Sequence, residues 1–166
     1  MSERRVPIPG LQIESQPDDL LAAMLVWGEA RGESHISKEA IIWVVKNRVA
    51  AHRFGSTLRQ VILKPYAFSC LNHARPGEVD TRAQMLDPLA HDLAKVWDEC
   101  CLAAEMVMDG QAPDPTHGAT HYVRDYLWGG PTPPGHAVQW YHQIEIEAGR
   151  TVETARIGHH VFARAA

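Results

Sequence analysis

The chain has 166 residues, of which 45% are hydrophobic and 22% are charged, and its formal net charge at pH 7 is -4. This length and composition predict one globular domain with a sizeable core and exclude an intrinsically disordered chain. The acidic balance argues against a nucleic-acid partner, which usually needs a concentrated basic face, and no apolar stretch reaches the roughly 20 residues of a membrane span.

The first segment, residues 1–16, contains two prolines and a glycine and predicts an extended, loosely packed arm. A single domain is expected to occupy residues 17–166. The segment has no apolar core of a secretory signal peptide, so we expect the protein to be made and kept in the cytoplasm. The odd number of cysteines, Cys70, Cys100 and Cys101, shows no metal or redox spacing and predicts free thiols.

Apolar spacing and end signals predict three helices in the first part of the chain. The first begins around Pro17 and ends near Glu29. The second covers residues 37–52 with Ser37 as its N-cap. The third begins at Thr57, in a capping-box spacing, and stops before the next proline.

A fourth helix is the clearest in the sequence. It follows a long loop over residues 66–86, a kind of segment that often forms binding sites. Asp87 is expected to cap it, Pro88 to occupy its first turn and Gly110 to end it. Because it has a long apolar face, we expect this helix to be the central buried helix of the domain. The apolar face comprises Leu89, Leu93, Val96, Trp97, Cys100, Ala104 and Val107.

After this helix the pattern changes to short extended segments separated by turns. Extended structure is predicted over residues 119–124, 138–146 and 157–164, with a loop over residues 129–135. Helices followed by short strands indicate an α+β fold that is mainly helical. No heptad or exposed apolar stripe stands out, so we expect a monomer.

Two carboxylates form the first candidate site. Glu29 stands where the apolar run of the first helix meets a glycine. Low polarity disfavours the charged form of a carboxyl, and a protonated Glu is what general acid cleavage of a glycosidic bond requires. Glu33 follows four residues later, and two carboxylates can divide the acid and base roles in sugar cleavage. Ordinary ion pairs with Arg31 or Lys38 are the alternative interpretation.

A polar segment over residues 114–122 forms the second candidate site, because its side chains could bind sugar hydroxyls and N-acetyl groups. An Asx or Thr turn is the alternative. His117 and His121 are four residues apart, but no His-Glu-x-x-His pattern is present and no third zinc ligand can be placed. The sequence therefore predicts no metal site and no cofactor. Flat aromatic side chains outside the strong helices could stack on sugar rings or pack in the core, and they are Tyr66, Phe68, Trp128, Trp140 and Tyr141.

Five short motifs in this order resemble the catalytic domain of the SleB/CwlJ-type, spore cortex-lytic cell-wall hydrolases. The resemblance covers roughly residues 20–163. The motifs are WGEARGE at residues 27–33, VKNRV at 45–49, FSC at 68–70, DPTHGATHY at 114–122 and IGHHVF at 157–162.

This resemblance implies a lysozyme-like, mainly helical fold that acts on peptidoglycan glycan strands. It implies cleavage between N-acetylmuramic acid and N-acetylglucosamine, as in a lytic transglycosylase that leaves 1,6-anhydro ends. Glu29 would be the catalytic general acid and base. The substrate-binding residues would be Glu33, Phe68, Ser69, Asp114, Thr116, His121 and Tyr122.

Other functions stay open at this point. A muramidase that uses water would cleave the same bond, and a metal-dependent amidase or peptidase would use His117, His121 and His159. Leu71 replaces a Trp found in many members of the family, which puts one sugar-stacking surface in doubt. The absence of a leader and of a wall-binding module leads to the expectation of a phage endolysin that reaches the wall after release.

Overall fold

A computed structural model describes residues 4–128 and 149–166 of the chain. The described part is mostly helical, with one three-stranded antiparallel sheet, as predicted. The helices are α1 (Asp18–Ala30), α2 (His35–Ala50), α3 (Leu58–Ile62), α4 (Thr81–Met85) and α5 (Ala94–Met108), and the strands are β1 (His121–Arg124), β2 (Thr151–Ile157) and β3 (His160–Ala165).

The core is built around α1. Every side chain from residue 20 to residue 27 is at most 6% exposed, because this stretch is apolar on all sides and not only along one stripe. Helices α2 and α5 both pack against it. The central buried helix is therefore α1, and the prediction that the fourth helix holds this place was wrong.

Two helix starts differ from the prediction. Helix α2 begins at His35, because Ser34 and not Ser37 is its N-cap and accepts a hydrogen bond from the Ser37 amide. Helix α5 begins at Ala94, since the backbone at Leu93 is extended and the Leu93 side chain is 74% exposed. Leu89 and Leu93, which were assigned to the apolar face of this helix, are exposed. Pro88–Ala90 forms a separate 3-10 turn.

The sheet has the strand order β1-β3-β2, and both pairings are antiparallel. The predicted extended segment over residues 119–124 is confirmed as β1. The one predicted over residues 157–164 is wrong as a single strand, because Gly158 adopts a positive φ of 56° and turns β2 back into β3. The predictions for residues 129–135 and 138–146 fall outside the described residues.

The segment before α1 is not loosely packed. Ile13 is 1% exposed and Gln16 is fully buried, and the Gln16 side chain hydrogen-bonds both the amide and the carbonyl of Ile8. The Trp97 indole donates to the carbonyl of Arg5 at 2.6 Å. The last contact fastens the segment to α5, and residues Ile13–Ser15 form a 3-10 helix. Among the helices of the described part, none combines the length and apolar character needed to cross a membrane.

Candidate active site

Glu29 lies in the last turn of α1, half-buried, and three donors from distant parts of the chain surround its carboxylate. Its Oε1 accepts a hydrogen bond from the Cys70 amide at 3.1 Å and lies 3.5 Å from the Ser69 hydroxyl. Its Oε2 accepts from the Tyr122 hydroxyl at 2.6 Å. The surroundings are thus polar at the carboxylate itself, which differs from the expectation of low polarity around Glu29.

Gly28 allows the chain around Cys70 to come this close. A Cβ atom at position 28 would lie 2.8 Å from both Cβ and Sγ of Cys70. Only a glycine lets the turn Ser69–Leu71 touch α1 and place its amide on Glu29. Burial, together with the nearby Glu29 carboxylate, raises the pKa of the Cys70 thiol well above its ordinary value. Cys70 therefore stays protonated and is unsuited to act as a nucleophile.

Tyr122 is the strongest partner of Glu29. Burial raises the pKa of its hydroxyl well above the usual value, and the Glu29 carboxylate raises it further, so the phenol keeps its proton. It can donate to a carboxylate or accept from a carboxylic acid, so the contact suits both protonation states of Glu29. The Tyr122 ring packs against Phe162 and Phe68, with ring centroids 5.7 Å and 6.5 Å away.

Phe68 supports this arrangement from inside. It is 3% exposed, and the Arg48 guanidinium lies 4.9 Å from its ring centroid. The prediction that Phe68 contacts substrate does not fit this burial. Ser69, its neighbour, is exposed and does face the site.

Strand β1 presents two alternate residues to the two predicted carboxylates. Side chains two apart on a strand share one face, so Arg124 points the same way as Tyr122. The Arg124 guanidinium donates to Glu33 Oε1 at 3.1 Å, and the Glu33 side chain is 11% exposed. One strand therefore holds both Glu29 and Glu33.

Glu33 lies beyond the end of α1, so the two carboxylates do not share a helix face. A Cβ atom at position 158 would lie 2.6 Å from Glu33 Oε2, and the tight turn at Gly158 thus covers this carboxylate. Arg31 and Lys38, the ion-pair partners considered for these carboxylates from the sequence, form ion pairs with other residues. Arg31 pairs with Asp92 at 3.3 Å, and the Lys38 ammonium bonds Glu99 at 3.0 Å.

His160 lies beside Tyr122 and Arg124, the residues that hydrogen-bond Glu29 and Glu33. It is 4% exposed, pairs across the sheet with Arg124, and its ring centroid lies 5.3 Å from that of Tyr122. Burial lowers the pKa of His160, and the Arg124 charge lowers it further, so the imidazole is neutral at neutral pH. Its Nδ1 is buried and has no hydrogen-bond partner among residues 4–128 and 149–166.

The side chain of Asp114 makes hydrogen bonds that stabilise its own loop and join it to α2. The two Asp114 oxygens accept hydrogen bonds from the Thr116 amide and hydroxyl, the Gly118 amide and the Asn47 side chain, at 2.7–3.0 Å. Thr116 is fully buried. The Asx-turn alternative therefore describes this segment, and the prediction that Asp114 and Thr116 line the groove does not fit their internal bonds.

These bonds predict a pH-dependent contribution to stability. Burial alone would raise the pKa of Asp114, but the hydrogen bonds from Thr116 and Asn47 outweigh it and hold the pKa below its usual value. A group with a lowered pKa in the folded state stabilises the fold above its unfolded pKa of about 3.9, and this contribution is lost as the pH falls below it. We expect Asp114→Asn to lower the free energy of unfolding by about 2–3 kcal/mol at neutral pH.

Urea unfolding at several pH values measures this effect. The difference between wild type and Asp114→Asn should narrow between about pH 5 and pH 2, since the wild-type carboxylate becomes protonated there. Asp109→Asn, at the exposed end of α5, is the matched control and should change little. A difference that stays constant down to the lowest pH would contradict the role of the Asp114 charge.

His121 points away from Glu29, because it occupies the other face of β1 from Tyr122. Its ring meets Phe54 edge-on, with centroids 5.6 Å apart, so the prediction that it lines the groove at Glu29 does not fit. His117 lies in a turn with a φ of 55°, and the side chain of His159 is 71% exposed. Within residues 4–128 and 149–166, no group of three or more potential metal ligands lies together.

A cleft of about 860 Å³ opens on the far side of Ser69 from Glu29, and Glu29 itself is not one of its lining residues. Ser69 lines it, and so does Tyr66, which is 88% exposed and adopts a positive φ of 62°. Strained backbone of this kind is concentrated at functional sites. Trp128, another predicted sugar contact, is half-buried, and the predictions for Trp140 and Tyr141 fall outside the described residues.

Sequence reasoning missed several parts of this site. Arg124 could have been found from the period of the strand, since it lies two residues after Tyr122 on a predicted strand. His160 was not among the predicted site residues. The Cys70 amide and the close approach at Gly28 leave no such pattern, because they depend on where two distant segments meet.

Comparison with known sequences identifies relatives with cell-wall names. The sequence model of a family described as Cell Wall Hydrolase matches residues 32–163. A spore cortex-lytic enzyme of Halalkalibacterium halodurans is 32% identical over 112 residues, which are 65% of this chain and 27% of that protein. One of Bacillus cereus is 40% identical over 57 residues, 34% of this chain and 22% of that protein. The chain thus spans about a quarter of the length of the curated relatives that it matches.

Two solved structures share the fold. The catalytic domain of the germination-specific lytic transglycosylase SleB from Bacillus anthracis has a TM-score of 0.59 and 22% identity, over 95% of this chain and 99% of that one. The catalytic domain of the Bacillus cereus SleB protein has a TM-score of 0.53 and 23% identity, over 98% and 100%. The predicted fold class is confirmed by these matches.

Proposed function

Because this chain belongs to the cell wall hydrolase family, we propose that it cleaves peptidoglycan at the glycosidic bond between N-acetylmuramic acid and N-acetylglucosamine. Glu29 is the catalytic residue of this proposal. The observation that carries it is the placement of Glu29, whose carboxylate has hydrogen-bond donors on both oxygens and contacts Ser69, a residue that lines an open cleft.

In the first step, protonated Glu29 gives its proton to the glycosidic oxygen as the bond from that oxygen to C1 of the muramic acid breaks. Oε1 is the oxygen on the cleft side, because its neighbour Ser69 lines the cleft. Tyr122 fixes Oε2 from the opposite side. The carboxyl is thus oriented before substrate arrives, which removes part of the entropic cost of reaction.

In the second step, the Glu29 carboxylate takes the proton from the 6-hydroxyl of the muramic acid, and that oxygen bonds to C1. The product is a 1,6-anhydro ring, and Glu29 recovers the proton that it gave. The acid and base roles are consistent in one residue because the first step leaves it ready for the second. The surroundings of Glu33 support this route, since Arg124 and the turn at Gly158 already engage its carboxylate.

The released products test the proposal. Mass spectrometry of fragments from purified sacculi should show anhydro-muramic ends, 18 Da lighter than the hydrolysis product because no water is added. Reducing ends would instead indicate a muramidase. Cleavage between the lactyl group and the peptide, with intact glycan, would contradict the proposal and favour an amidase.

Glu33→Gln gives a milder prediction. Glu33 positions Arg124 and the β2–β3 turn without touching the reacting bond in this mechanism, so we expect about a threefold to tenfold loss of activity, equivalent to roughly 1 kcal/mol. Turbidity clearing of permeabilised cells measures this loss. Glu105→Gln, an exposed carboxylate on α5, is the matched control. Loss as complete as that of a Glu29 variant would show that both carboxylates are essential and would favour hydrolysis by a pair.

A further inference from the structure

The cleft that Ser69 lines has an unusual charge for this chain. Its basic lining residues are Lys64, His73, Arg75 and Arg82, and its acidic ones are Glu14 and Glu78. The whole chain, in contrast, has a net charge of -4. A local excess of positive charge in an acidic protein attracts anionic ligands to that place.

Two of these charges neutralise each other. The Arg82 guanidinium forms an ion pair with Glu14 and also donates to the carbonyl of Leu71 at 2.9 Å. These contacts close one wall of the cleft and leave no charge on that wall for a ligand. The ion pair therefore has a structural role.

Lys64 and Arg75 are different. Both are exposed, and among residues 4–128 and 149–166 neither side chain has an ion-pair partner. The Lys64 ammonium lies 5.9 Å from the ring centroid of Phe54. Glu78, the nearby acid, accepts a hydrogen bond from the Arg75 backbone amide at 2.9 Å. Two cations, Lys64 and Arg75, and one anion, Glu78, thus remain.

We propose that this cleft binds the acidic peptide that N-acetylmuramic acid carries on its lactyl group, with Lys64 and Arg75 as the residues that recognise its carboxylates. This inference rests on the proposed function and names the part of the substrate that the cleft takes. The sugar rings of the strand are uncharged, so the peptide is the part that presents several carboxylates to cations. Tyr66 at the rim offers a flat face to the adjoining sugar.

The distances support this placement. Ser69 belongs both to the cleft lining and to the surroundings of Glu29, so a muramic acid bound at Glu29 would lie next to the cleft. A volume of about 860 Å³ is within the range of pockets that hold drug-sized ligands, about 300–1,000 Å³. The cleft therefore has room for several residues of a short peptide.

Binding to two kinds of soluble glycan strand tests the proposal. Both are prepared from sacculi that lack phosphate-bearing polymers and matched in length. One keeps its peptides after the cross-links are cut, and the other is stripped by an amidase, which leaves only the lactyl carboxylate. Fluorescence anisotropy measures their binding to Glu29→Gln protein, which is expected to cut neither strand. We expect about tenfold tighter binding of the peptide-bearing strand, since two exposed ion pairs together contribute on this scale.

The variant Lys64→Gln/Arg75→Gln, made in the Glu29→Gln protein, should bind both strands with nearly equal affinity. The matched control is Arg53→Gln/Lys95→Gln, which removes the same charge from exposed positions outside the cleft and should keep the preference. Circular dichroism checks that each variant folds. Equal binding of the two strands before any cation is removed would overturn the proposal, and so would a preference that survives in the Lys64/Arg75 variant.

Cleavage by the wild-type protein separates this inference from the proposed function. A protein that cuts neither strand but keeps the Lys64- and Arg75-dependent preference would refute glycosidic cleavage and support the peptide site. A protein that cuts both strands at equal rates and binds them equally would support glycosidic cleavage and refute the peptide site. High salt should reduce the preference, because exposed charges are screened.

Discussion

Glu29→Gln is expected to fold normally and to lose nearly all lytic activity, by about 10²–10⁴-fold. Glutamine keeps the shape of the side chain but has no acidic proton to give. Its amide oxygen can accept the bond from the Cys70 amide, and its NH₂ group can donate to the Tyr122 oxygen. Turbidity clearing of purified sacculi, with thermal unfolding as the check on folding, measures both parts of this expectation.

Two further variants make the result interpretable. Glu29→Asp keeps the proton but moves it by about the length of one C–C bond, so it should retain more activity than the Gln variant and less than wild type. Glu105→Gln again serves as the control for the loss of one negative charge. Substantial clearing by Glu29→Gln would refute the assignment of the general acid.

Gly28→Ala is expected to reduce both stability and activity. The added methyl group would lie 2.8 Å from the Cβ and Sγ atoms of Cys70, so the turn Ser69–Leu71 has to move away from α1. Overpacking of this kind costs about 1–3 kcal/mol in the free energy of unfolding. The same movement takes the Cys70 amide away from Glu29, and we expect activity to fall by about tenfold or more beyond any loss of folded protein. Urea unfolding and initial rates at a temperature where the variant is fully folded separate the two effects.

A second substitution should relieve the clash. Cys70→Gly removes the two atoms closest to the new methyl group and leaves Met85 Sδ at 3.1 Å, the end of a flexible side chain, while the backbone amide of residue 70 can still donate to Glu29. The double variant Gly28→Ala/Cys70→Gly is therefore expected to be more active than Gly28→Ala alone. Gly32→Ala, where an added Cβ meets no atom of the described residues within 4 Å, is the matched control. Equal activity of Gly28→Ala and wild type would show that the close approach does not matter for the reaction.

The helical part of this fold could be predicted because its signals are local. The apolar run of α1, the Thr57 cap of α3 and the positive φ of Gly110 at the end of α5 each depend on residues a few positions apart. The errors arose where two local signals compete. Ser34 and Ser37 are both good N-caps, and only packing decides between them. Pro88 is a good first-turn residue, but its turn ends before α5 begins.

Glu29 and Tyr122 were both predicted as site residues, and the structure brings their side chains into contact. Both residues belong to short motifs that have few interpretations in this order. Asp114 belongs to such a motif as well, yet its oxygens bond the loop that contains it. The motifs therefore indicate residues that make specific contacts, but they do not tell a catalytic role from a structural one. The contact of Arg124 with Glu33 depends on the placement of β1 against the end of α1, which no local pattern specifies.

The bond between Tyr122 and Glu29 joins positions 93 residues apart. Contacts of such long range form slowly, because a large loop must close before they contribute. A folding intermediate with α1 and α2 in place would carry Glu29 without the hydroxyl that orients it. Since β1 is paired through residues 160–163, lytic competence is expected to emerge only when the last hairpin docks. During refolding, the recovery of lytic activity should therefore lag behind the recovery of the helical circular dichroism signal.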